Sequence, residues 1–142
     1  MERKPGVRLT VYTDGAARGN PGPAAVGVVV LDSDQRPLKK ISRFLGRATN
    51  NQAEYAALIA GLEVALELGA NQVVVATDSE LVARQMAGAY RVKSPNLTRL
   101  YLRARELASR LGSVSFRLLP RSMNAEADKL ANWALDHHSS KQ

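Results

Sequence analysis

The residues that decide the fold read Val73-Val74-Val75-Ala76-Thr77-Asp78-Ser79. They begin with an uninterrupted apolar run, which is typical of a strand that is covered on both faces inside a parallel sheet. Parallel strands need crossover connections, and these are usually helices. The stretch therefore predicts an α/β protein in which Thr77, Asp78 and Ser79 lie at the carboxyl end of a buried strand.

A helix is predicted upstream of this strand. After Thr49 the spacing of apolar residues changes from about two to about 3.6. Apolar residues then recur at i, i+3, i+4, i+7 and i+11 as Tyr55, Leu58, Ile59, Leu62 and Leu66. This pattern predicts a helix of about 51–68 that is buried on one face and ends at Gly69 as its cap.

Three strands are predicted ahead of that helix. The first alternates Val7, Leu9 and Val11 with polar residues and ends in a turn at Thr13-Asp14-Gly15. A dense turn sequence at 19–23 separates it from two strands at roughly 24–32 and 36–45. The polar interval between those two strands has the length of a hairpin connection.

The remaining sequence supplies helices and one more strand. We expect a short helix from Ser79, a longer helix near 95–111, a strand through Val114, Phe116 and Leu118, and a closing helix from Ala125 to about Asp136. This order predicts a mixed five-stranded sheet, with three antiparallel strands, two parallel strands and helices on both faces. One domain over 1–142 is expected, with a core at about 7–136 and short polar tails in which His137 and His138 are solvated.

The composition argues against several classes of chemistry. The 142 residues include 20 Lys and Arg against 13 Asp and Glu, which gives a net charge of +7, together with two His and no Cys. A zinc site, a thiol nucleophile and a Ser-His-Asp triad are therefore not expected, and any metal must be held by oxygen. Of the cations, 14 are Arg, whose guanidinium matches phosphate, and this favours a polyanionic partner.

The sequence carries no recognisable membrane or export signal. The longest apolar run, Ala24 to Leu31, has eight residues, far fewer than the ~20 that a membrane helix needs. The charged residues 1–5 have no apolar segment behind them. We therefore expect a cytoplasmic monomer that does not contact a membrane.

Four carboxylates are candidates for a functional cluster. Asp14 and Asp78 end predicted strands, and Glu54 and Asp128 lie early in predicted helices. If the first and fourth strands are parallel neighbours, Asp14 and Asp78 lie side by side and repel each other unless a cation neutralises them. Such an all-oxygen cluster suits Mg²⁺, and four acids suit two ions about 3.5–4 Å apart for phosphodiester cleavage.

Each of these acids also has a purely structural interpretation. Asp14 can be a turn residue, Asp78 can cap the helix that begins at Ser79, and Glu54 and Asp128 can be solvated helix positions. Their joint placement favours the functional interpretation. Asn124 lies at i−4 from Asp128 and therefore shares its helix face, and Arg121 lies just upstream.

Four blocks of sequence at these acids resemble the type 1 ribonuclease H family in its short form, which lacks a basic protrusion. They are Thr13-Asp14-Gly15 with Gly19-Asn20-Pro21-Gly22, then Thr49 to Glu54, then Thr77-Asp78-Ser79, and finally Asn124 to Ala131. The resemblance covers nearly the whole chain. It implies a ribonuclease H-like fold and a Mg²⁺-dependent or Mn²⁺-dependent endonuclease that cuts the RNA strand of an RNA–DNA hybrid, leaving 3′-hydroxyl and 5′-phosphate ends.

The resemblance also implies roles for individual residues. Asp14, Glu54, Asp78 and Asp128 would hold two metal ions, with Asp14 bridging both. Asn20, Asn50 and Asn51 would lie in the minor groove of the hybrid, and Thr49 would bind a DNA phosphate. We expect Ser79, Arg121 and Asn124 to contact substrate as well. Short amides can reach 2′-hydroxyls across a shallow minor groove without reading sequence.

Three features depart from the family pattern. The interval from Asp78 to Asp128 is too short for the basic, aromatic-rich protrusion of many members, although nine cations against one acid lie between 84 and 121. Some of these cations can replace the protrusion, or Arg99, Arg103 and Arg110 can simply form the solvated face of a helix. Arg121 is the residue nearest to the position where many members have a His, and Glu80 stands where an amide is common.

Alternative functions follow from these departures. Some members of the short form also cut double-stranded RNA, and the sequence leaves this activity open. A module that binds hybrids or duplex RNA without cutting them is the main alternative, and a DNA nuclease or strand-transfer relative is a third. Metal-dependent cleavage of a hybrid discriminates between the first two, and cleavage of a DNA-only duplex would favour the third.

Overall fold

The structure is a computed structural model that describes residues 6–139. Its strands are β1 (Arg8–Ala17), β2 (Gly22–Leu31), β3 (Pro37–Ala48), β4 (Gln72–Thr77) and β5 (Ser113–Leu118). Its helices are α1 (Asn50–Glu67), α2 (Glu80–Met86), α3 (Pro95–Ser109) and α4 (Ala125–Ser139), and a short 3₁₀ turn, Arg121–Asn124, precedes α4.

The five strands form one mixed sheet in the order β3-β2-β1-β4-β5. β1, β2 and β3 pair antiparallel, whereas β4 lies parallel to β1 on one side and to β5 on the other. Pairing of Thr13 with Thr77 ends the β1–β4 ladder, so the residues that follow each of them emerge at the same edge of the sheet. This architecture confirms the predicted α/β fold.

Helices cover both faces of the sheet. On one face, Val11 and Val28 pack into a core with Tyr55, Leu58 and Leu62 of α1, and α2 and α3 add residues to the same core. On the other face, α4 packs against Ala25 through Ala134 and Leu135. Close packing of α4 on β2 depends on Gly27, since a Cβ there would overlap the backbone carbonyl oxygen of Ala127.

Two predicted boundaries are wrong. β1 does not end in a turn at Asp14 but continues to Ala17, because β2 goes on pairing with it as far as Ala24. His137 and His138 lie in α4 and not in a tail, although His137 is exposed to solvent as predicted. Both are held by ring stacking, His138 on Phe44 and His137 on Trp133.

Within residues 6–139, no helix combines the length and the apolar character that crossing a membrane requires.

Candidate active site

Asp14 and Asp78 lie side by side at the carboxyl ends of β1 and β4. Asp14 is 6% exposed, and Asp78 is partly buried directly after β4. Neither carboxylate has the purely structural role considered for it from the sequence, which was a turn residue for Asp14 and a helix cap for Asp78. Asp14 lies within a strand, and the residue that caps α2 is Ser79, whose Oγ accepts a hydrogen bond from the Val82 N–H at 3.2 Å.

Glu54 reaches this edge from the first turns of α1. Thr49 and Gln52 form a reciprocal capping box that fixes the start of the helix. Gly15 lets the helix approach β1, since a Cβ on Gly15 would overlap the backbone of Ala53 and Glu54. At this close approach the Gly15 N–H donates to Glu54 Oε1 at 2.8 Å, which holds the carboxylate beside Asp14.

Three carboxylates meet closely, and the fourth lines the same cavity. Oxygen atoms of Asp14, Glu54 and Asp78 all lie within 4.8 Å of one another. Asp128 is outside that group, but with the other three it lines a cavity of about 530 Å³. Asn132 lies one turn further along α4, and its Nδ2 donates to Asp128 Oδ1 at 3.2 Å.

The electrostatics of the cluster call for a cation. Burial, followed by the negative charges of Glu54, Asp78 and Asp128, raises the pKa of Asp14 to about 9. Burial also raises the pKa of Glu54 to about 8, although the hydrogen bond from Gly15 and the charge of Arg121 oppose the shift. Arg121 offsets only part of the negative charge of these carboxylates. A hard divalent cation, which prefers oxygen ligands, would neutralise the rest.

Asn124 holds Asp78 in place beside the end of β1. It is 2% exposed, and its Nδ2 donates to the Thr13 carbonyl oxygen at 2.9 Å and to Asp78 Oδ1 at 3.2 Å. Its Oδ1 is buried without a hydrogen-bond partner in the part of the chain that the structure describes. Asn124 was predicted to contact substrate, but its buried amide instead fixes Asp78 against the end of β1.

The other predicted substrate residues fall into two groups. Asn50, Asn51, Ser79 and Arg121 line the cavity. Asn20 lies next to them, with its Oδ1 accepting from the Asn50 N–H at 3.0 Å, and the Thr49 hydroxyl is engaged in capping α1.

Sequence reasoning missed Arg18 and Asn132, which also line the cavity. The Arg18 guanidinium donates to Asn132 Oδ1 at 3.3 Å and forms an ion pair with Asp136 at 2.6 Å. The only available signal was spacing, because Asn132 is one helical turn after Asp128. Arg18 follows Asp14 by four residues, but its pairing with a helix more than a hundred residues away cannot be read from local sequence.

Comparison with known proteins relates the whole fold to one family. The family model described as Reverse transcriptase-like matches residues 12–134. Ribonuclease HI of Halobacterium salinarum is 48% identical over 131 residues, which is 92% of this chain and 66% of that protein. A bifunctional protein of Mycobacterium tuberculosis is 46% identical over 131 residues, again 92% of this chain but only 36% of its own length.

Solved structures agree. The crystal structure of RNase H1 from Halobacterium salinarum has a TM-score of 0.89 at 48% identity and covers 92% of this chain and 98% of that one. A crystal structure of LC11-RNase H1 in complex with an RNA/DNA hybrid has a TM-score of 0.87 at 41% identity, over 92% of this chain and 98% of that one. The chain thus spans the solved domains almost completely, but only about a third of the mycobacterial relative.

Proposed function

Because the chain belongs to the type 1 ribonuclease H family, we propose that it is a metal-dependent endoribonuclease that hydrolyses the RNA strand of RNA–DNA hybrids. The observation that carries this proposal is the meeting of Asp14, Glu54 and Asp78 oxygens within 4.8 Å, in one cavity with Asp128. The similarity to an RNase H1 structure that holds a hybrid supports the choice of substrate.

Asp14, Glu54, Asp78 and Asp128 would hold the metal, for which we propose two Mg²⁺ ions per site with Mn²⁺ as a substitute. When bound, the metal supplies the positive charge that activates a water molecule and stabilises the leaving oxygen. The chain's own part is positional. Gly15 fixes Glu54 and Asn124 fixes Asp78, so that the carboxylates face the cavity before substrate arrives.

Residues around the carboxylates bind the substrate without reading its sequence. Asn50 and Asn51 line the cavity with exposed amides that suit the minor groove and its 2′-hydroxyls. Asn20 is hydrogen-bonded to Asn50, and Thr49 begins the same helix, so both belong to this surface. Ser79 and Arg121 complete it. A guanidinium suits a phosphate and is a poor general acid or base, so Arg121 would hold a phosphate and take no part in proton transfer.

The proposed products are a 5′-phosphate and a 3′-hydroxyl, and cleavage of double-stranded RNA is an additional activity that the experiment below tests. Double-stranded RNA shares the 2′-hydroxyl-lined minor groove that the short amides would contact. It differs from the hybrid in the sugar of the second strand and in the helix geometry that this sugar imposes.

The decisive experiment is cleavage of an end-labelled RNA–DNA hybrid beside matched RNA–RNA, DNA–DNA and single-stranded RNA, with Mg²⁺, Mn²⁺ or a chelator. We expect metal-dependent cutting of the RNA strand of the hybrid and no cutting of DNA–DNA. Additional cutting of RNA–RNA would make double-stranded RNA a second substrate, and its absence would limit the activity to hybrids. Binding of the hybrid without any cutting would show that the protein is a binding module and not an enzyme.

A further inference from the structure

Three linked cavities run from the active site along the end of α4. The active-site cavity shares Arg18 with a second cavity of about 470 Å³, which Phe44, Arg47 and His138 also line. The second cavity shares Phe44 and His138 with a third, of about 150 Å³, which reaches Trp133 and His137. We call these six residues the α4 strip. Because each cavity shares lining residues with the next, the three cavities are neighbours, and Arg18 lies where the strip meets the active site.

Two stacked ring pairs form the far part of the α4 strip. The ring centroids of Phe44 and His138 are 3.4 Å apart with planes 6° from parallel. Those of Trp133 and His137 are 3.9 Å apart and 18° from parallel. Trp133 nevertheless remains 54% exposed, so much of its indole is open to a further planar group. His137 Nδ1 lies 2.8 Å from the Trp133 carbonyl oxygen, which fixes the imidazole on the helix.

Two arginines lie between these rings and the carboxylates. Arg18 is held at the junction of the two larger cavities by its ion pair with Asp136 and its hydrogen bond to Asn132. Arg47 is exposed, and no carboxylate among residues 6–139 lies within ion-pairing distance of it. Aromatic platforms flanked by guanidinium groups are the combination with which proteins hold single-stranded nucleic acid.

We propose that the α4 strip binds a single-stranded extension of the substrate, with unpaired bases on the Trp133–His137 and Phe44–His138 pairs and a backbone phosphate at the unpaired Arg47. This inference rests on the proposed function, which seats the duplex over the active-site cavity. The bases of a duplex stack on one another, so only an unpaired strand offers base faces to the rings. The net charge of +7 favours such a polyanion over a basic peptide or a neutral metabolite.

Trp133 makes the test site-specific, because it is the only Trp among the 142 residues. The Asp14→Asn variant, which spares the substrate, is titrated with a blunt hybrid and with four hybrids that carry an unpaired extension of about six nucleotides. The extensions are RNA or DNA at either end of the duplex. We expect at least one of them to bind about fivefold tighter than the blunt hybrid and to quench Trp133 fluorescence where the blunt hybrid does not.

Two variants separate stacking from general charge. Trp133→Ala, followed by anisotropy of labelled substrate, should bring the ratio of extended to blunt affinity close to one. Tyr90→Ala removes an aromatic residue that is 45% exposed and lies outside the three cavities, and it should leave that ratio unchanged.

The outcomes are distinct from those of the cleavage experiment. A blunt hybrid that is cut, while none of the four extensions tightens binding or quenches Trp133, overturns the α4 strip and leaves the proposed function intact. If no hybrid is bound or cut, the protein is titrated with a free single-stranded oligonucleotide. Failure of that oligonucleotide to quench Trp133 fluorescence would then overturn the α4 strip as well.

Discussion

At the scale of single residues, Asp14 has the most central place in the candidate site, because the other three acids all raise its pKa. Asp14→Asn removes one ligand oxygen and one negative charge but keeps the side-chain volume. We expect cleavage to fall by about three orders of magnitude or more, equivalent to ~4 kcal/mol of transition-state stabilisation. Hybrid affinity should hold or rise, because the substitution removes a metal ligand and leaves the fold and the substrate contacts in place.

The matched control is Asp34→Asn, an exposed acid in the β2–β3 connection whose turnover should stay within about twofold of the parent. Turnover and hybrid affinity are measured on both variants. Undiminished turnover in Asp14→Asn would exclude Asp14 from the mechanism.

The raised pKa values of Asp14 and Glu54 make the stability of the metal-free protein depend on pH. In the folded state the pKa values of the two carboxyls are about 9 and 8, whereas in the unfolded state they return to their ordinary values of 3.8 and 4.5. Between these limits the folded state binds more protons, so the free energy of unfolding falls as pH rises. We expect the Tm in chelator to drop by several degrees between pH 5 and pH 9, and Mg²⁺ to restore it most at the alkaline end.

The same scan on Asp14→Asn checks the cause. Without the Asp14 carboxyl, the fall in Tm with pH should be clearly smaller, and the Mg²⁺ effect should shrink with it. An unchanged pH dependence would place the titrating groups elsewhere in the chain.

At the scale of elements, the contact between β1 and α1 carries Glu54 to its place, and Gly15 is the residue that permits it. Gly15→Ala forces the helix and the strand apart. We expect a loss of about 1–3 kcal/mol in the free energy of unfolding and a fall in kcat of at least tenfold, measured by denaturant titration and steady-state kinetics.

Gly88→Ala separates lost stability from lost geometry. Gly88 has φ of +84° and open space around it, so an Ala there costs only backbone strain of about 1–2 kcal/mol. A parent-like kcat in Gly88→Ala beside a low kcat in Gly15→Ala would assign the loss to the β1–α1 contact. Equal values of kcat would refute it.

The elements with a clear apolar period were predictable from sequence, and the exceptions have physical reasons. The runs at 73–76 and 55–66 predicted β4 and α1 almost to the residue, since burial of these runs, together with the cap at Thr49, determines them. β1 extends past Asp14 because β2 continues to pair with it. The length of a partner strand cannot be read from the local sequence of β1. The end of α4 depends on Phe44 stacking with His138, which joins residues that are distant in the chain.

The candidate site was predictable to the same extent. The four acids followed from their places at strand ends and early helix turns, because the topology brings those positions together. The burial of Asn124 did not follow, since it depends on how the 3₁₀ turn packs under Asp78. Arg18 and Asn132 did not follow either, because tertiary pairing alone selects them.

At the scale of the whole molecule, the net charge of +7 is divided between paired and free cations. Arg84 and Arg103 form ion pairs with Glu80, Glu63 and Glu106. Arg91 and Lys93 lie in the short connection between α2 and α3, and no carboxylate in the described part of the chain pairs with them. The free pair is therefore better placed to bind phosphate than the paired cations of α2 and α3.

This division predicts how binding responds to salt. A protein that neutralises phosphates releases counterions, so log affinity for the hybrid should fall linearly with log salt concentration. Replacing both Arg91 and Lys93 by Ala should weaken binding at low salt and make the slope shallower by about one to two units. Arg103→Ala is the matched control and should leave the slope unchanged, because its charge is already compensated by Glu63 and Glu106. Equal slopes in all three proteins would mean that the connection between α2 and α3 does not contact the phosphate backbone of the hybrid. A flat salt response in the parent would mean that phosphate contacts do not dominate hybrid binding.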